Sequence, residues 1–157
     1  MAKPIPEGFH SVTPMLTLKN AGKAIEFYKR AFGATEKYSV PGPDGKGIMH
    51  AEMQIGNSLI MMQDENPNQP CKSVEAMGCS PVSFYIYVEN ADQLFQKAVA
   101  AGAKSQMPLQ EMFWGDRVGT VQDPFGYNWW IATHVKDVSP REMQEGAQAM
   151  FAQAGKK

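Results

Sequence analysis

An α+β fold is predicted: two tandem β-α-β-β-β units curled into a cupped, half-open barrel, with one further helix at the C-terminal end. Three observations carry this expectation. The chain repeats itself at an offset of seventy residues: Asn20-Ala21 returns as Asn90-Ala91 and Gly56 as Gly126, while Gly33-Ala34 returns as Gly102-Ala103 one residue early. A repeat of this kind has to be recognised before any fold is assigned. Each copy then carries one segment of helical apolar spacing followed by runs of strand spacing. Finally, 157 residues at 43% hydrophobic content suffice for two small halves sharing one core. The organisation expected is one domain made of repeat unit 11–63, linker 64–80, repeat unit 81–134 and a helix over 139–154.

Taken in order, residues 1–9 read as an arm with two prolines. Ser11 to Leu18 alternates like a strand, with Pro14 marking an edge or a bulge. Asn20 caps a helix whose apolar face is Ala21, Ala24, Ile25, Phe27, Tyr28, Ala31 and Phe32, and Gly33 ends it. Thr35 to Val40 is a strand, and Pro41-Gly42-Pro43-Asp44-Gly45 a loop. Gly47 to Ile55 and Asn57 to Gln63 form a hairpin. Asp64 to Ser80 is polar and proline-bearing, a connector with room for a short turn of helix. Pro81 to Glu89, rich in β-branched and aromatic residues, opens the second unit. Asn90 caps its helix, Gly102 closes it, and Lys104 to Leu109 is a strand. A last hairpin follows, Arg117 to Gln122 and Tyr127 to Thr133, turned by Asp123-Pro124-Phe125-Gly126. Ser139-Pro140-Arg141-Glu142 is a capping box with proline at the first helical position.

Composition removes several function classes. Fifteen basic against sixteen acidic residues, with no basic tract, invite neither nucleic acid nor an anionic membrane. The start lacks an apolar signal core and no run is long enough to span a bilayer, so a soluble cytoplasmic protein is expected. Cys71 and Cys79 both fall in the linker, too few for a disulfide framework and without a nearby His to complete a zinc set. There is no Gly-rich phosphate loop and no Gly-x-Ser-x-Gly elbow.

Several stretches together resemble the vicinal oxygen chelate superfamily, which includes glyoxalase I, the fosfomycin- and bleomycin-resistance proteins and extradiol dioxygenases, and within it the PhnB-like branch. They are Ala24-Ile25-Glu26-Phe27-Tyr28 with Ala31-Phe32-Gly33-Ala34, Met49-His50-Ala51-Glu52, Gly115-Asp116-Arg117, Asp123-Pro124-Phe125-Gly126, and Ala132-Thr133-His134 with Ser139-Pro140-Arg141-Glu142-Met143. The resemblance implies the glyoxalase/bleomycin-resistance-like half-barrel and a homodimer. It also implies one divalent metal held by His, Gln or Glu on the first and last strand of each unit. Those positions fall at Thr13, Ser83, Ile60 (or Met61, if the alignment slips by one) and Trp130. None is a usual ligand. The expectation is therefore no metal at the usual site and no cofactor, with a divalent metal at an off-pattern site as the alternative.

The function expected is binding of a small organic molecule, flat or aromatic, in the cup. Thr13, Met15 and Thr17 share one strand face, Ser83, Tyr85 and Tyr87 another, Asn128, Trp130 and Ala132 a third, and Ser58, Ile60 and Met62 a fourth. The candidate ligand-binding residues are Trp130, Tyr85, Met62, Phe113, Trp114 and Arg117; Arg117, in bidentate fashion, and Asp116 read as anchors for an anionic or polar ligand group, with pairing to each other or across a dimer interface as the competing reading. Core packing is the competing reading of the aromatic stripe, and a lid or an interface that of Phe113 and Trp114. The alternative function is a lyase, isomerase or dioxygenase-type enzyme. It would use His50 and Glu52, two apart on one strand face, as an acid–base pair or as the start of an off-pattern metal site. His10 carries little weight, and His134 reads as a local cap.

Overall fold

The computed structural model describes residues 3–43 and 45–154. The parts of the arm, the proline loop and the C-terminal end that fall on Met1, Ala2, Asp44 and 155–157 lie outside the described residues.

Helix α1 (Ala21–Phe32) begins where Asn20 accepts the Lys23 amide and ends at Gly33, whose φ of 65° is open to glycine at little cost. Around it lie β1 (Met15–Leu18), β2 (Thr35–Pro41), β3 (Ile48–Ile55) and β4 (Ser58–Asp64). The linker contributes one turn, α2 (Val74–Met77). The second unit repeats the plan with β5 (Ser83–Tyr87), α3 (Ala91–Ala101), β6 (Lys104–Glu111), β7 (Asp116–Gln122) and β8 (Asn128–His134), and α4 (Pro140–Ala154) follows. Strand β1 starts four residues later than its alternation predicted, since Pro14 has no amide proton for a ladder.

Two four-stranded mixed sheets result, ordered β1-β4-β3-β2 and β5-β8-β7-β6. In each, the first strand joins the last in parallel and the rest pair antiparallel. The sheets do not close on each other, which leaves the half-open cup the repeat predicted. One face of both sheets is covered by α1 and α3, which also pack together. Beneath them lie Leu16, Leu18, Met53, Met62, Trp129 and Ile131, all essentially inaccessible. Burying side chains of this size contributes about 1.5–3 kcal/mol each.

The Asp-Pro-Phe-Gly turn fastens the two halves together. Asp123 Oδ1 accepts the amides of Phe125 and Tyr127, both at 2.9 Å, closing the turn. Its Oδ2 accepts the Tyr28 hydroxyl of α1 at 2.7 Å and the Trp129 indole at 2.9 Å. Burial pushes the Asp123 carboxyl above its ordinary range, and these donors only partly offset that. Gly126 (φ 92°) brings the turn so close to Val74 that a Cβ would sit 2.5 Å from its Cγ1.

The register corrects one expected face. Gly56 and Asn57 form the hairpin turn, so Ser58 pairs with Ile55, Ile60 with Met53 and Met62 with Ala51. Paired residues share a face. Ile60 and Met62 therefore lie under the helices, and Met62, expected in the cup, is fully buried core. Met61 is the residue that turns to the open face, beside Met15 and Glu52.

Candidate functional site

On the open face of the second sheet, cross-strand register sets Tyr85, Trp130 and Thr120 in one row and Tyr87, Ala132 and Val118 in the next, with Asp116 and His134 beyond. Tyr85 and Trp130 stack with centroids 6.0 Å apart and planes 11° from parallel, and Tyr87 lies 5.0 Å from Tyr85. Tyr85 is 42% exposed and Tyr87 61%. An aromatic floor this open is not core packing.

Asp116, only 2% exposed, organises the floor. Its Oδ2 accepts the Tyr85 and Tyr87 hydroxyls at 2.9 Å each and the Trp114 indole N–H at 3.1 Å. Its Oδ1 accepts His134 Nδ1–H at 2.8 Å. Burial alone would raise the Asp116 carboxyl. The hydrogen bonds from His134, Tyr87 and Tyr85 outweigh that and hold it below the ordinary carboxylate range. His134 is raised in turn, first by Asp116 and then by Asp137, whose Oδ1 stands 3.0 Å from Nε2. Burial and Asp116 push the Tyr85 phenol up, and Asp116 does the same to Tyr87, so both stay protonated donors to the carboxylate.

The loop before β7 is held by its neighbours. Gly115 (φ 93°) accepts the Val135 and Lys136 amides, and a Cβ there would overlap the Lys136 carbonyl oxygen. Phe113 packs edge-on against Trp114 and receives α4 at Gly146, where a Cβ would lie 2.6 Å from the Phe113 Cβ. Helix α4 leaves Met143, Met150 and Phe151 exposed.

Thr120, the neighbour of Trp130 in the register, is 7% exposed, and its hydroxyl has no hydrogen-bond partner among the described residues. Such a group costs about 1–3 kcal/mol.

Of the expected site residues, Trp130, Tyr85 and Trp114 come together here, with Phe113 behind Trp114. Met62 is in the core. Arg117 is not a free anion clamp: Nε and Nη2 grip Asp92 in the first turn of α3 at 2.7 and 2.6 Å, on the helix side of the sheet. On the open face of the first sheet, His50 Nε2 stands 3.3 Å from Glu52 Oε1, both partly buried, with Met61 opposite Glu52. Asp116 was expected as an anchor beside Arg117 and Tyr87 as a cup-facing residue, but their gathering with His134 was not expected. The Gly115-Asp116-Arg117 stretch and the Tyr85/Tyr87 alternation carried the signal.

The edge strands β1 and β5 pass without forming a ladder. A cavity of about 380 Å³ lies between Val12 and Pro14 on one side and Tyr85 to Val88 on the other. Another, of about 640 Å³, lies between Met15 to Thr17 and Val82 to Phe84.

The fold and this site define a class of half-barrel proteins with an open, side-chain-lined sheet face. The model of the Glyoxalase/Bleomycin resistance protein/Dioxygenase superfamily matches residues 9–131. The chain belongs to that superfamily. It is 40% identical over 138 residues to an uncharacterized protein of Mycobacterium bovis, covering 85% of this chain and 90% of that one. It is similar to the X-ray structure of the Arabidopsis thaliana gene product At5g48480, with a TM-score of 0.64 and 27% identity over 80% of this chain and 98% of that one. The PhnB protein of Bacillus cereus shares the fold, with a TM-score of 0.62 and 16% identity over 79% and 99% of the two chains.

The superfamily's metal does not fit the residues at the expected positions. Ile60 is buried under the helices and Trp130 is stacked on Tyr85, and neither offers a donor; Met61, the other candidate, faces the open side but carries only a soft thioether. Hydroxyls such as those of Thr13 and Ser83 are weak ligands. Among the described residues, no three His, Cys, Asp or Glu side chains are grouped to hold an ion.

Proposed function

We propose that this protein binds a small organic molecule on the open face of its second sheet, as a cytoplasmic member of the PhnB-like branch that works without a metal at the superfamily's usual positions. One observation carries this reading. Tyr85 and Tyr87 stay exposed at the surface yet are locked in place on a buried carboxylate. Side chains ordered but uncovered are pre-organised for a partner, and pre-organisation removes much of the ordering cost of binding. The unpartnered Thr120 hydroxyl beside Trp130 adds a polar group that the fold alone does not satisfy. A second copy of the chain is the expected partner subunit, supported by the exposed Met143, Met150 and Phe151 of α4.

The test is a thermal-shift screen of flat aromatic molecules followed by calorimetry on Trp130→Ala. Lost affinity with an unchanged melting temperature supports the reading. A variant that is less stable but binds equally well would make Trp130 a packing residue.

A second reading, a lyase or isomerase, is favoured by the 3.3 Å contact of His50 with Glu52. It requires turnover of a carbonyl-bearing substrate that His50→Ala abolishes while the fold stays intact.

A further inference from the structure

From the direction of the hydrogen bonds around Asp116 we infer the ligand class: a flat or aromatic molecule carrying a protonated amine, whose N–H groups are received by the Tyr85 and Tyr87 phenol oxygens while its apolar part lies on Tyr85 and Trp130. This inference rests on the binding function proposed above and narrows it.

A tyrosine hydroxyl has one hydrogen to give and lone pairs to receive with. Tyr85 and Tyr87 both give theirs to Asp116 Oδ2. Trp114 and His134 also spend an N–H on Asp116. Toward anything resting on the floor, the two phenols can only accept, and donation to a carboxylate makes a hydroxyl oxygen a stronger acceptor. The two phenols therefore receive donors and have no hydrogen left for an anion or a carbonyl, while the buried Thr120 hydroxyl, without a partner among the described residues, can give or accept.

Charge points the same way. Asp116 is ionised below the floor, and Asp137 stands on the far side of His134. His134 carries at most one positive charge against these two carboxylates, so the local balance stays negative. The cations nearby are engaged elsewhere: Arg117 grips Asp92 and Lys136 holds Glu142 at 3.0 Å. Lys104 stands on the outer strand at the opposite end of the sheet, paired with Gln122. The ring faces of Tyr85, Tyr87 and Trp130 add cation–π attraction, which is strongest for indole.

Three probes sharing an indole separate the outcomes by calorimetry on the full chain: tryptamine, its quaternary N,N,N-trimethyl analogue, and indole-3-propionate. Tryptamine is expected to bind at least about tenfold tighter than indole-3-propionate. Tyr85→Phe with Tyr87→Phe should lower tryptamine affinity several-fold and leave indole-3-propionate unchanged. Circular dichroism checks the fold, and Asp116→Asn is a second variant expected to weaken the same preference. Equal or tighter binding of indole-3-propionate, with both ligands lost in Trp130→Ala, would overturn the charge class and leave the binding site standing. Equal binding of the quaternary analogue would overturn the role of the phenol oxygens. Failure of all three probes to bind would overturn both the ligand class and the proposed function.

Discussion

Replacing Asp123 by asparagine tests how the two halves are joined. The wild-type carboxylate receives four donors, and each donor's residue is itself buried: Tyr28, Phe125, Tyr127 and Trp129. Asparagine keeps one oxygen for the two turn amides and places an NH₂ where Oδ2 stood. The Tyr28 hydroxyl can rotate and accept from it. The Trp129 indole is a donor only and is left facing another donor. One buried unsatisfied donor costs about 1–3 kcal/mol. A loss of about 2 kcal/mol in a chain of this size lowers Tm by about 4–8 °C. Because burial raises the wild-type carboxyl, the native protein holds that proton more tightly than the unfolded chain does. Wild-type stability therefore gains as pH falls through that raised value, a gain the asparagine variant lacks, so the gap widens on acidification. Urea unfolding at neutral and mildly acidic pH measures both effects. A variant as stable as wild type, or a gap that narrows with acid, would refute the reasoning.

Three further perturbations probe the loop, its anchor and the helix packed on it. His134, raised by Asp116 and Asp137, contributes stability that is complete below the ordinary histidine value of about 6.5 and is lost as pH rises through its higher folded value. Asp116, held low, contributes stability present above its ordinary value of about 3.9 and lost as pH falls through the lower folded one. The Tm difference between wild type and His134→Ala should therefore be largest between about pH 4 and 6.5 and shrink toward pH 9; a difference flat across that range would contradict the pair. Gly115→Ala forces a Cβ onto the Lys136 carbonyl oxygen at positive φ, and a loss of about 1–3 kcal/mol is expected in denaturant unfolding. Gly146→Ala should instead loosen α4 from Phe113, seen as faster hydrogen exchange in α4 with the core unchanged; unaltered exchange would show that this contact does not hold the helix.

The sequence disclosed the repeat, the helices with their caps and the hairpins, because glycines and asparagines recur at fixed offsets and the apolar spacing is regular. It misled at β4. Counting back from inherited ligand positions put Ser58, Ile60 and Met62 in the cup. Counting across the two-residue turn at Gly56-Asn57 from the core run Ala51, Met53 and Ile55 puts those same residues under the helices, as the register does. Arg117 was legible by the same logic. It follows Asp116 on a strand, so the two point to opposite faces, and only Asp116 reaches the open one. The gathering of Tyr85, Tyr87, Trp114 and His134 on Asp116 could not be read locally. It joins residues 29 and 31 positions apart through strand pairing, and nothing in a linear pattern shows that one carboxylate collects four donors.

Whether the open face of the second sheet is the ligand site can be read from the three tryptophan indole N–H signals in an NMR titration of the full chain with tryptamine. Trp130 lies on the floor, Trp114 is bonded beneath it, and Trp129 is buried in the core bonded to Asp123. Saturable shifts of Trp130 and Trp114 are expected, with Trp129 still. Shifts confined to Trp129, which also lines the cavity between β1 and β5, or no saturable shift at all, would contradict a site on this face.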